Sequence, residues 1–387
     1  MANIAARIKF GKLLRGRPDS LSREFVTILS SAKSPHPAIR LQRSTALSPT
    51  LTMLAALLAI LTGMVSYLLT ARVRTYAVQH AILDPPNQRS SHSVPTPRGG
   101  GIAILCASLL AIAGGAAFHI VAPVHALALV PGMILLGVVG WLDDHGGLSA
   151  RIRLAAHFIA ASAGIAVLHG LPDLQLGTSS VHLGLGGSVA AVIGVVWSIN
   201  LFNFMDGIDG LAGSQATIIF AIAGLLFHVR GVDSLALISC GFAAASAGFL
   251  CWNWPPAKIF MGDVSSGALG FMIAVLAVAG ERSGSVPLVA FGILGGVFAS
   301  DATVTLVRRL YRGALPADAH RDHAYQRISR VWGAHLPVTL AAASLTFLLG
   351  ALAAIAALRQ ELAGMVILLA SAVLLATGVA AERRAPM

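Results

Sequence analysis

Asn200, Asn203, Asp206 and Asp209 recur every third residue in the segment Asn200-Leu-Phe-Asn203-Phe-Met-Asp206-Gly-Ile-Asp209-Gly210. On one helical turn and its continuation such side chains share a face. Amide and carboxylate oxygens in this arrangement suit Mg2+, with Mn2+ as a substitute, because Mg2+ takes one or two carboxylates together with substrate phosphates. An ordinary loop marked by Gly207 and Gly210 is the plainer alternative. A distant segment, Phe260-Met-Gly-Asp263, offers one more carboxylate, and the adjacent pair Asp143-Asp144 closes an apolar run. Two neighbouring carboxylates there repel each other unless a cation or a metal-bound phosphate is near, so phosphate chemistry fits the pair better than a mere stop to the run.

Basic and flexible groups accompany these acids. His320-Arg321-Asp322-His323 precedes Arg327 and Arg330. Two histidines at that spacing can bind a metal, but a basic loop touching a diphosphate or lipid phosphate fits better. Gly99-Gly100-Gly101, after Arg98, allows either close backbone approach to a ligand or a tight packing turn. His119 and His157 stand singly in apolar runs and read as structural, and Asp301 reads as a partner for Arg308.

The elements that must position these groups are apolar. The 387 residues are 56% hydrophobic and 11% charged, outside the range of soluble globular domains. About eleven apolar runs of roughly 15 to 23 residues follow residue 50, most of them long enough to cross a hydrocarbon core. They lie near 51–71, 101–121, 125–142, 153–169, 188–204, 211–228, 235–252, 266–280, 286–307, 335–357 and 361–381. Unpaired backbone amides are costly in lipid, so these runs are expected to be helices: an all-α, multi-pass membrane fold over residues 51–387. A barrel would need shorter alternating segments.

Following the runs alternately in and out gathers every polar cluster on one side: Asp84 to Asn87 with Arg98 to Gly101, Asp143-Asp144, Asn200 to Gly210, Phe260 to Asp263, and His320 to Arg327. The same side collects most loop arginines, whereas the other holds Arg230, Arg282 and Arg359. By the positive-inside rule the clustered side is cytoplasmic. The net charge of +11 is thereby explained without nucleic acid, for no basic helix interleaved with aromatics is present. Cys106, Cys240 and Cys251 fall within apolar runs and imply neither a disulfide framework nor a metal site. Residues 1–50 are strongly basic yet assigned to the opposite side; they read as a disordered or weakly interfacial extension, with Met53 an alternative start, and lack the core and cleavage site of a secretory signal.

The ordered set Asp143-Asp144, Leu148-Ser-Ala-Arg-Ile-Arg153-Leu, Asn203-Phe-Met-Asp206-Gly-Ile-Asp209-Gly-Leu-Ala, Trp252-Asn-Trp-Pro-Pro-Ala-Lys-Ile-Phe260-Met-Gly-Asp263 and His320-Arg-Asp-His323 resembles the polyprenyl-phosphate N-acetylhexosamine-1-phosphate transferases. The likeness runs from about Leu54 to the C-terminus, and the last loop looks like the branch that starts O-antigen chains. One departure is Ser265, where relatives usually carry glycine after Gly-Asp-Val.

The resemblance implies a bacterial inner-membrane enzyme with a cytoplasmic active site. It would transfer a HexNAc-1-phosphate from a UDP-sugar to undecaprenyl phosphate, releasing UMP and initiating cell-surface polysaccharide; a homodimer is a candidate assembly. It further implies that Asn203 and Asp263 ligate Mg2+ and that Asp143 and Asp144 serve catalysis at the lipid phosphate. Asp206, Asp209 and Phe260 would form the nucleotide side, with Asn200, Arg153, Arg98, His320, Arg321 and His323 as further substrate contacts. Two other readings share part of this pattern. A CDP-alcohol phosphotransferase shares the start Asp206-Gly-Ile-Asp209-Gly210 but not the continuation, and a non-catalytic transporter would place its binding groups near the midplane.

Overall fold

The computed structural model describes residues 49–85, 94–313 and 320–387. Nearly all of the proposed N-terminal extension, and residues 86–93 and 314–319 of the loops discussed above, lie outside the described residues.

The chain opens with α1 (Pro49–Gln79), then a short antiparallel pair, β1 (Leu83–Asp84) and β2 (Thr96–Pro97), in which Leu83 faces Pro97. Next come α2 (Gly101–Ala117), α3 (Pro123–Gly146) and α4 (Ala150–Val167). A hairpin of β3 (Leu174–Leu176) and β4 (Ser179–Val181) leads into α5 (Gly184–Met205), α6 (Leu211–Val229), α7 (Asp233–Asn253) and α8 (Asp263–Arg282). The remainder is α9 (Leu288–Leu294), α10 (Gly296–Tyr311), α11 (Ala324–Trp332), α12 (Leu336–Leu358) and α13 (Ala363–Arg384).

Each expected apolar run falls on one of these elements. Nine helices among the described residues are long and apolar enough to cross a membrane, and α9 with α10 makes a tenth, bent by 75° at the break. The eleventh run, α2, is a shorter apolar helix of 17 residues, about 26 Å at the rise of an α-helix, at the lower limit for a bilayer crossing. The chain is thus an all-α, multi-pass membrane protein.

The helix α8 lies at the centre. It packs on α5 and α3 and also touches α2, α4, α6 and α7, and nearly every side chain from Val264 to Glu281 is buried. Small residues permit this approach: a Cβ at Gly140 of α3 would lie 2.2 Å from the Asp263 carbonyl oxygen. By contrast α1 and α13 present most of their apolar side chains outward, as helices facing lipid do. At the end of the bundle away from Asp263, the buried Glu281 carboxylate accepts hydrogen bonds from the backbone amides of Gln175 (2.6 Å) and Leu288, tying the β3–β4 hairpin and the start of α9 to α8.

Candidate active site

Asp263 begins α8, and three other elements converge on it. From α5, Asn203 Nδ2 donates to Asp263 Oδ1 (2.9 Å) and to Ser266 Oγ (3.1 Å). From α4, Arg153 Nη1 lies 2.8 Å from Asp143 Oδ2 and 4.0 Å from Asp263 Oδ2. From α3, the Asp143 carboxyl lies within hydrogen-bonding reach of the Asp263 carboxyl and accepts from the Leu148 amide (2.5 Å).

Consecutive residues of a helix point about 100° apart, so Asp143 and Asp144 diverge. Asp144 turns inward. Its Oδ1 and Oδ2 accept from the backbone amides of Asp263 (3.2 Å) and Val264 (3.3 Å), which are otherwise orphan donors at a helix start. Arg98 lies on the same group, Nη1 at 3.9 Å from Asp144 Oδ1, and donates to the Asp144 carbonyl. The expected catalytic pair is therefore two different devices: Asp143 faces Arg153 and Asp263, while Asp144 caps α8.

The expected continuous face from Asn200 to Asp209 is not formed. The helix ends at Met205, and Asp206 is its C-terminal cap with φ −88° and ψ 56°. Gly210, at φ +72°, completes the break, a conformation in which a side chain would be strained. Asn200 stays one turn inside the bundle, where its Nδ2 donates to the Val196 carbonyl (2.7 Å) and lies 3.3 Å from His157 Nδ1. Asp209 is engaged by the frame: its Oδ2 accepts from the Ala257 amide (3.0 Å), its Oδ1 lies 3.2 Å from His335 Nδ1, and its carbonyl accepts from Thr339 (2.8 Å). Asp206 is half-buried. Burial, reinforced by the charges of Asp263, Asp144 and Asp209, pushes its carboxyl up to about 7.

The glycine run acts as a packing turn. Gly100 and Gly101 donate to the carbonyls of Phe260 and Met261 (2.9 Å each), and the Phe260 amide donates to the Pro97 carbonyl (2.8 Å). A Cβ at Gly101 would meet the Ser265 Cβ at 2.3 Å. Packing after Asp263 thus involves the departure residue Ser265 itself, set against a position with no side chain. Phe260 is held half-buried by the same backbone bonds.

The last loop reaches the same end of the bundle. The His323 ring lies 6.4 Å from Phe204 and 5.0 Å from His320. Burial, with His323 and Arg309 nearby, lowers His320 to about 4, so it is neutral near pH 7 and its Nδ1 accepts from the Asp322 amide (3.3 Å). The Arg321 carbonyl accepts from Arg330 (3.0 Å). The expected Asp301–Arg308 pair is not formed. Arg308 Nη1 lies 2.5 Å from Glu382 Oε2, and Asp301 instead accepts from the amides of Ala324 and Tyr325.

Several contributors carried little sequence signal. Ser266 shares the Asn203 amide, His157 meets Asn200, and buried Asn253 links the Gly210 amide to the Ile259 carbonyl. Asn253 lies between the tryptophans of the Trp-Asn-Trp-Pro-Pro motif, which could have marked it.

Does this donor set fit a divalent cation? Among the described residues no three carboxylate, imidazole or thiol groups form a closed metal cage. What is present is a contact between the carboxyls of Asp143 and Asp263, close to Asp206 and beside an amide, with Arg153 as the cation nearest them. Touching carboxyls of this kind favour a shared proton or a cation between them. Mg2+ characteristically takes one or two carboxylates and leaves the other positions to water and phosphate, so the residues fit it.

The profile of glycosyl transferase family 4 matches residues 126–281. An undecaprenyl-phosphate alpha-N-acetylglucosaminyl 1-phosphate transferase of Yersinia pestis is 31% identical over 318 residues, covering 77% of this chain and 84% of that one. The chain belongs to glycosyl transferase family 4. A phospho-N-acetylmuramoyl-pentapeptide-transferase of a Wolbachia species is 32% identical over 232 residues, with coverage of 56% and 68%. A decaprenyl-phosphate N-acetylglucosaminephosphotransferase of Mycolicibacterium smegmatis is 29% identical over 322 residues, with coverage of 72% and 76%. The family 4 match contains Asp143, Asp144, Arg153, Asn200, Asn203, Asp206, Asp209, Phe260 and Asp263, whereas Arg98 and the His320–His323 loop lie outside it.

Proposed function

We propose that this family 4 protein transfers a HexNAc-1-phosphate from a UDP-sugar to undecaprenyl phosphate, forming undecaprenyl diphosphate-HexNAc and UMP. The observation that carries the reading is the meeting of Asn203 and Asp263, from separate helices, beside the Asp143–Arg153 pair at one end of a membrane bundle. The relatives named above act on polyprenyl phosphates or transfer sugar phosphates by their own names. Arginine enrichment of the loops at this end supports a site on the cytoplasmic face of a bacterial inner membrane, where sugar nucleotides are available.

Asn203 and Asp263 would hold Mg2+, which supplies charge neutralisation for the diphosphate when bound. Arg153 offers a guanidinium to a phosphate oxygen once a substrate competes with Asp143 for it. Asp143 orients the lipid phosphate. A phosphate monoester has a second pKa of about 6, so much of it is already ionised at neutral pH and direct attack on the β-phosphorus needs no strong base. Asp144 acts by fixing the first turn of α8, and Asp206, beside the acidic cluster, would serve the nucleotide-sugar side. His320, Arg321 and His323 approach from the last loop as phosphate or sugar contacts. The position of these groups at helix ends also speaks against a transporter, whose binding groups gather at the midplane. The product would initiate a cell-surface polysaccharide such as O-antigen.

The test is UMP and lipid-product formation by purified protein given undecaprenyl phosphate, Mg2+ and a panel of UDP-HexNAc donors. Wild type is expected to form both products and Asp263→Ala neither. Absence of product with every donor would overturn the reading.

A further inference from the structure

Helix α10, which follows the bend after α9, and the short helix α11 hold a connection that the proposed chemistry does not use. Asp301 of α10 is largely shielded, with 11% of its side chain exposed. Its Oδ1 accepts from the Ala324 amide (2.8 Å) and the Thr305 hydroxyl (3.1 Å), and its Oδ2 accepts from the Tyr325 amide (3.1 Å). Ala324 and Tyr325 are the first residues of α11, whose opening amides lack intrahelical partners. The residue at the cap position, His323, makes no side-chain capping bond. A carboxylate from another helix therefore does what a local serine or aspartate ordinarily does.

Tyr325 carries the connection onward. It is buried, and its hydroxyl donates to the Phe204 carbonyl (3.0 Å), one of the last carbonyls of α5. A Cβ on Gly207 would lie 2.1 Å from the Tyr325 hydroxyl oxygen, so the phenol fills the space left by that glycine. Phe204 follows Asn203, and Gly207 follows Asp206. Burial, with the Asp301 and Asp206 carboxylates nearby, raises the phenol well above its ordinary value and keeps it a donor.

We propose that Asp301 is a positioning residue for the sugar-phosphate transfer: by anchoring the start of α11 it sets Tyr325 against the end of α5, beside Asn203 and Asp206. The inference rests on the transfer reading for its kinetic consequence, and on α11 alone for its structural one. Because α11 also follows the His320–His323 loop directly, the one carboxylate fixes two edges of the site.

The experiment compares Asp301→Ala, Asp301→Asn and Tyr325→Phe with wild type in detergent, by steady-state kinetics and by limited trypsin digestion with mass mapping. Displacement of reacting groups by about 1 Å can cost on the order of a hundredfold in rate. A loss of roughly tenfold or more in kcat is expected for Asp301→Ala, and a smaller one for Tyr325→Phe. Both should need more Mg2+ for half-maximal rate, with little change in KM for the lipid phosphate. Asp301→Asn, which keeps one acceptor oxygen, should recover part of the rate. Trypsin should cleave faster after Arg327, which is 7% exposed, in Asp301→Ala.

If Asp301→Ala does not fold, Tyr325→Phe, which deletes one hydroxyl at constant shape, decides the kinetic question. Rates within twofold of wild type for the folded variants, or a loss only of folded protein at unchanged kcat and Mg2+ requirement, overturn the proposal. Should wild type make no product from any donor, the transfer reading fails. Faster cleavage after Arg327 would then support the anchor, and unchanged cleavage would overturn it.

Discussion

The Asp144 carboxylate sits over the first turn of the helix that carries Asp263, its two oxygens 3.2 and 3.3 Å from the backbone nitrogens of Asp263 and Val264. A negative group at a helix N-terminus satisfies orphan amides and complements the helix dipole. The direction in which Asp263 points is thus set from α3.

Asp143 and Asp144 should therefore separate by kind of defect. Asp144→Ala is expected to lose about 1–2 kcal/mol of stability, the usual cost of an N-cap. It should also lose transfer activity, because Asp263 shifts. Asp143→Asn should keep the wild-type unfolding temperature and lose rate. Thermal unfolding in detergent alongside product formation checks both; equal defects in the two variants would sink the distinction.

Gly140→Ala gives a purely steric version of the same test. Its new Cβ would stand 2.2 Å from the Asp263 carbonyl oxygen, a backbone atom that cannot swing aside. Overpacking of this sort costs roughly 1–3 kcal/mol. Stability and activity should fall together, and a variant with unchanged rate would mean that α3 and α8 part without disturbing Asp263.

The spans and the common end of the polar clusters were legible because they follow from local rules. Apolar runs set helices, and even numbers of crossings return Asp143, Asn203, Asp263 and His320 to one face. The division of labour was not legible. Asp143 and Asp144 are neighbours in sequence, yet a helix turns them to different partners, and nothing in their spacing names the Asp263 amide or Arg153 as those partners. The row Asn200 to Asp209 kept its period in sequence but not in space, since Gly207 and Gly210 end the helix after two of its members. Arg308 is close to Asp301 in sequence, but the two backbone amides that Asp301 accepts from lie 23 and 24 residues away, beyond the reach of a one-dimensional reading.

Glu281 supplies a control at the opposite end of α8. Its buried carboxylate accepts the amides of Gln175 and Leu288, so Glu281→Ala leaves two buried donors without a partner. Unsatisfied buried groups cost about 1–3 kcal/mol each at most. The variant should unfold at a lower temperature and, once folded, transfer at the wild-type rate with an unchanged Mg2+ requirement. A kcat effect as large as that of Asp143→Asn would show that the two ends of α8 are coupled.

Asp206 makes the site pH-dependent in a direction that can be worked out. Its folded-state carboxyl is raised from the ordinary 3.8 to about 7, chiefly by burial and secondarily by Asp263, Asp144 and Asp209. A carboxyl raised in this way favours the protonated folded protein. Its contribution to stability is complete below the unfolded value and is lost as pH rises through about 7. Without divalent cation, the unfolding temperature should therefore fall between about pH 4 and 7, the interval between the unfolded and folded values. A cation favours the ionised cluster, so its binding releases protons below about pH 7 and tightens as pH rises. Mg2+ should raise the unfolding temperature more at pH 8 than at pH 6, and Asp206→Asn should flatten both slopes. Thermal unfolding in EDTA and in Mg2+ across these pH values checks the prediction, and an equal Mg2+ effect at pH 6 and pH 8 would exclude Asp206 from the cation-linked cluster.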